Sequence, residues 1–128
     1  MSDSITMLSD MKQTLSRNTL RRLEQRITAL KGVLSRLGPL HPGSLSKQYN
    51  VCGKPACRCK DPQHPRRHGP YYQLNYVFRG KKTSRFIPQQ QVPQLRTELA
   101  NYKTFRRSTE QWTALAIQIA QVRRTIKA

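Results

Sequence analysis

All three cysteines of this chain, and two of its three histidines, fall within residues 52 to 68. Soft thiolate sulfur and imidazole nitrogen suit a tetrahedral Zn²⁺, and three thiols with one histidine make a closed Cys₃His set. Cys52 and Cys57 stand in C-x4-C spacing, and Gly53 with Pro55 supplies a bend that turns both sulfurs toward one ion. Cys59 follows Cys57 in C-x-C spacing, which serves one ion only if the backbone curls around it. The fourth ligand is His64 or His68. His68 is favoured because Gly69 and Pro70 force a turn where the chain leaves the metal.

Two other readings compete with a metal. Free thiols often behave as small buried hydrophobes, yet residues 52 to 68 are rich in Lys, Arg and Pro and offer little apolar cover. A disulfide would leave one of the three cysteines unpaired, and no charged start followed by an apolar core marks a secretory segment.

A chain of 128 residues has room for one domain. Apolar residues make up 36% of it and gather toward the two terminal segments. The midsection gains most from an ion acting as a folding staple, so the expected role of the zinc is structural. Lys and Arg number 24 against 6 Asp and Glu, a formal charge of +18. Such a domain repels itself unless a polyanion is present, and the common cellular polyanion is nucleic acid. No apolar run approaches the roughly 20 residues that span a bilayer. The expected setting is the cytoplasm, in association with the nucleoid. The acidic residues are scattered, with no pair of carboxylates to hold catalytic Mg²⁺ ions, so the chain does not read as an enzyme. A nuclease using His64 beside an open zinc position is the residual catalytic reading.

The elements that must position this site are helical at both ends. Residues 1–16 read as a flexible tail or weak helical extension containing Ile5, Met7, Leu8, Met11 and Leu15. Residues 17–38 read as an amphipathic helix capped by Asn18. Its stripe of Leu20, Leu23, Ile27, Leu30, Leu34 and Leu37 ends at Gly38 and Pro39. Residues 39–91 hold the zinc turn and a β-hairpin. Tyr72, Leu74, Tyr76 and Phe78 share one strand face at period two, residues 79–82 form the turn, and 83–87 return. Residues 92–128 carry a second helical pattern that thins to polar residues around 104–111, where a bend or split is expected. The fold expected is α+β: a small zinc-stapled β-hairpin module between two long amphipathic helices. The helical seams can close on each other, on a second copy as a homodimer, or on a partner protein.

Lys54, Arg58, Lys60, Arg66, Arg67, Arg79, Lys81, Lys82 and Arg85 bracket the tyrosines of the hairpin. Cations interleaved with aromatics contact phosphates and offer rings to bases. Tyr71 is the candidate base contact, whereas Tyr72 and Tyr76 lie on the expected core stripe. DNA is the favoured partner. RNA is the alternative, as a ribonucleoprotein component, and a third reading is a helical adaptor docking a larger enzyme.

Pro42-Gly-Ser-Leu-Ser, Cys52-Gly-Lys-Pro-Ala-Cys-Arg-Cys59, His68-Gly-Pro-Tyr-Tyr, Gly80-Lys-Lys and Phe86-Ile-Pro88 together resemble a family of short, functionally unassigned bacterial proteins. The likeness covers about residues 42 to 125 and leaves the leucine-striped first helix outside it. Members of the family are often encoded beside transposases. The resemblance implies ligand-type residues at Cys52, Cys57, Cys59 and His68, and a transposon-associated accessory or regulatory role with a transposase as partner. It implies no reaction or substrate.

Overall fold

Alternation at period two in the middle of the chain, flanked by period-3.6 stripes, produces two long helices and a three-stranded antiparallel sheet in the computed structural model, which describes residues 2–126. The elements are α1 (Ser2–Ser35), β1 (Ser44–Asn50), β2 (His68–Phe78), β3 (Lys81–Ile87) and α2 (Val92–Thr125). Met1 of the expected tail, and residues 127–128 of the expected last helix, lie outside the described residues. The chain folds as two compact units, one of residues up to Leu37 and from Thr104 onward, the other Gly38–Lys103.

In the first unit α1 and α2 run antiparallel. Leu23, Leu115 and Ile119 are its buried centre, with Leu20, Ile27, Leu30 and Val122 packed around them. The pairing is fixed at one end by Arg123 donating to Glu24 at 3.1 Å, and at the other by the Lys31 ammonium 5.2 Å from the Trp112 ring centre. Over these residues the two helical seams pack against each other within the chain.

Helix α1 begins well ahead of Asn18, which lies inside it, so residues 2–16 are helical, the second of the two readings given for them. Residues 4–17 contain no Gly or Pro and several good helix formers. The hydroxyls of Thr14 and Thr19 bond back to carbonyls four residues earlier and so do not compete for a cap. Ile5, Met7, Leu8, Met11 and Leu15 remain exposed. Helix α2 is likewise continuous through 104–111. Its polar residues there are absorbed locally: Ser108 is buried, and the Thr109 hydroxyl bonds to the Phe105 and Arg106 carbonyls.

In the second unit the sheet order is β1-β2-β3. The expected hairpin is present as β2 and β3, and β1 adds a third strand, pairing Ser44–Asn50 against His68–Asn75. The turn is tighter than expected, because Phe78 pairs with Lys81 and only Arg79 and Gly80 lie between the strands, both at positive φ. Leu74 is the centre of the inward face, joined by Leu45, Tyr76 and Ile87, and the start of α2 covers them with Leu95 and Leu99. Tyr76 therefore packs with the core as expected, but Phe78 at the far end of the stripe is exposed. The 38–43 segment is tied to α2 by His41 N donating to Glu98 O and by Asn101 Nδ2 donating to Pro39 O. His41 is half-buried with its ring edge-on to Tyr76.

Candidate metal centre

Strands β1 and β2 are neighbours, so the 51–67 segment between them starts and ends at one place. Asn50 pairs with His68 across its base. Gly69 makes that approach possible: its φ is +138°, and a Cβ there would meet the Gln48 carbonyl oxygen at 2.8 Å. Cys52 thereby arrives beside the start of β2.

The rest of the segment brings in the other two sulfurs. Cys57 N donates to Lys54 O at 3.3 Å, closing a turn over Pro55, and Arg58–Lys60 then forms one turn of 3₁₀ helix capped at Cys57. That turn is the curl that C-x-C spacing requires. It carries Cys59 inward until it is 3% exposed, the most buried of the ligand-type residues. Arg66 N then donates to Arg58 O at 3.0 Å and returns the chain to β2.

The ligand atoms of Cys52, Cys57, Cys59 and His68 all lie within 4.8 Å of one another. Cys52 Sγ is 3.6 Å from Cys59 Sγ, and Cys57 Sγ is 3.1 Å from His68 Nε2. A tetrahedral Zn²⁺ with Zn–S bonds of 2.3 Å holds its sulfurs about 3.8 Å apart, so this spacing fits a four-coordinate ion. The cysteines are free thiols. Their electrostatics differ: hydrogen bonding from the Cys59 backbone, and then from the Cys52 thiol, lowers Cys57 to about 6, while burial pushes Cys59 up. Cys52 N donates to Cys59 Sγ at 3.3 Å, a backbone contact that orients that sulfur.

His64 stands apart from the cluster. Asp61 Oδ1 accepts from Gln63 N at 2.9 Å and His64 N at 3.3 Å, and this side-chain turn holds His64 on an exposed loop. The group can therefore hold a metal ion through three sulfurs and the nitrogen of His68.

The expected phosphate contacts ring this cluster and the hairpin. Lys54, Arg58, Lys60, Arg66 and Arg67 lie on the metal segment, and Arg79, Lys81, Lys82 and Arg85 lie on the turn and β3. All are exposed, as is Tyr71. Among the described residues the nearby carboxylate of Asp61 is engaged by backbone N–H groups. A further set was not singled out from sequence. Ser46, Gln48, Gln73, Asn75 and Ser84 share the sheet face opposite Leu74. Polar residues at period two in Ser44-Leu-Ser-Lys-Gln48 are the signal that marks it.

No curated protein and no solved structure matches the chain. A family model matches residues 20–97. That range takes in the leucine stripe from Leu20, which the likeness drawn from motifs had left outside, together with the metal cluster and the whole sheet, and it stops inside α2. The chain belongs to the family described as a domain of unknown function, DUF6788.

Proposed function

We propose that this protein is a structural-zinc, DNA-binding accessory or regulatory protein of a bacterial transposable element, working in the cytoplasm on nucleoid DNA and catalysing no reaction. The observation that carries the reading is the placement of Lys54, Arg58, Lys60, Arg66 and Arg67 on a segment whose ends converge on the Cys₃His group. A bound Zn²⁺ would fix that segment, and with it the cations, at no cost in apolar core. Lys and Arg exceed Asp and Glu by 24 to 6, which supports a polyanionic partner. No helix among the described residues is long and apolar enough to cross a membrane. The mobile-element setting is supported by the Cys-Gly-Lys-Pro and His-Gly-Pro-Tyr likeness alone.

A salt titration of duplex binding tests the electrostatic part. If roughly six to ten phosphates are engaged, affinity falls on the order of 10³- to 10⁵-fold between 50 and 200 mM salt. A flat titration would refute it. Exposed Tyr71 also suits stacking on single-stranded RNA, and competition among duplex DNA, single strands and structured RNA separates the two partners.

A further inference from the structure

The sheet has one covered face and one open face. Leu45, Leu74, Tyr76 and Ile87 lie under α2. The other face is built by the alternate residues: Ser44, Ser46 and Gln48 from β1, Tyr71, Gln73, Asn75 and Val77 from β2, and Lys82, Ser84 and Phe86 from β3. Its composition is unusual for a face left to water. Amides and hydroxyls occupy the centre, and large apolar side chains stand out among them, with Phe86 at 66% and Val77 at 57% exposure.

The polar groups are already organised. Gln48 Nε2 donates to Gln73 Oε1 at 2.7 Å, and Ser84 Oγ donates to Asn75 Oδ1 at 2.6 Å. Gln48 Nε2 donates also to Ser46 Oγ at 3.4 Å, so that amide is spent within the face, whereas the Gln73 and Asn75 oxygens each keep a second lone pair beside their own NH₂ donors. The amides of Gln73 and Asn75 are thus held as donor–acceptor pairs on a rigid strand. That is the pattern that meets the N6 and N7 edge of adenine in the major groove. Phe86 stands directly opposite Gln73 in the β2–β3 register, beside the amide, where an apolar surface would meet a thymine methyl.

Charge and size agree with this occupant. Lys82 lies on the face itself, Arg79 and Lys81 sit at one end of β2, and Arg66 and Arg67 precede its other end. No Asp or Glu lies on the three strands. Three strands span about 10 Å, against a major groove about 12 Å wide. Resting on the DNA-binding reading, we propose that the open face of the β1-β2-β3 sheet enters the major groove of duplex DNA and reads A·T-containing sequence through Gln73, Asn75 and Phe86, with Gln48 and Ser84 as positioning residues. The cations named as phosphate contacts then set the register of the duplex and the sheet chooses the sequence.

The test is selection from a randomised duplex pool with the metal-loaded full chain, followed by gel shifts on the enriched and scrambled duplexes. An enriched motif containing adenine is expected. Gln73→Ala and Asn75→Ala should each lower the preference for motif over scrambled duplex by roughly 5- to 150-fold. Phe86 is 66% exposed on the face opposite Leu74, so Phe86→Ala is a variant expected to fold. It should lose sensitivity to replacing the motif's thymine by uracil, which lacks the methyl. Gln48→Ala should weaken discrimination less than Gln73→Ala. Duplex binding with no enriched motif, or with discrimination intact in all of these variants, overturns this inference and leaves the DNA-binding reading standing. Preference for single strands or structured RNA overturns it as well, and absence of any nucleic-acid binding overturns both.

Discussion

Cys59 and His64 show how two residues of ligand type in one segment come to different ends. Cys59 is drawn inward by a single 3₁₀ turn, whereas His64 is held outward by the Asp61 carboxylate. Metal content should follow that geometry. Cys52→Ser is expected to reduce bound zinc from about one ion per chain toward none and to lower the melting temperature, since a missing ligand removes binding energy that is also folding energy. His64→Ala should retain the full complement. Elemental analysis and thermal melts of the two purified variants check this, and equal zinc in both would refute the Cys₃His assignment. The identities of these residues were legible in the sequence because thiol and imidazole chemistry leaves few uses for them in a basic, proline-rich segment. What was not legible was how C-x-C could serve one ion. That depends on hydrogen bonds from Lys60 N to Cys57 O and from Asp61 N to Arg58 O, which no periodicity announces.

Among the elements, the β2–β3 turn carries a tension. Arg79 takes φ +50° in a two-residue turn where Gly, Asn or Asp is the usual choice. A non-glycine side chain in that region costs about 1 kcal/mol or more. Its guanidinium sits 5.2 Å from the Phe78 ring centre and is exposed, a position suited to a phosphate. Arg79→Gly is therefore expected to stabilise the protein by about 1 kcal/mol while weakening duplex binding and reducing its salt slope by about one. Denaturant melts and gel shifts read the two effects separately, and a variant that gains stability with no loss of binding would remove Arg79 from the interface. The strand β2 and the return strand were plain in the alternation of Tyr72, Leu74 and Tyr76. Strand β1 leaves only a weak signal because only Leu45 of Ser44–Asn50 reaches the core, so a seven-residue strand differs little from a polar loop. Asn18 failed as a start signal for the converse reason: a capping residue stops nothing when the residues before it are also good helix formers.

At the scale of the molecule, apolar material is divided between a helix pair centred on Leu23, Leu115 and Ile119 and a small sheet core centred on Leu74, Leu95 and Leu99. Neither core reaches the 51–67 segment, which depends on the four ligands and the Asn50–His68 pairing at its base. That has a consequence for how the protein ages in a cell or a test tube. Arg58, Lys60, Arg66 and Arg67 make this segment a run of cleavage sites for trypsin-like proteases, and a clasped base denies them the extended chain they need. Chelator-treated protein should be nicked first between Arg58 and Arg67, yielding two fragments, while the metal-loaded protein should survive the same digestion. Mass spectrometry of limited digests would show it, and identical cleavage with and without chelator would mean that the clasp does not guard the chain.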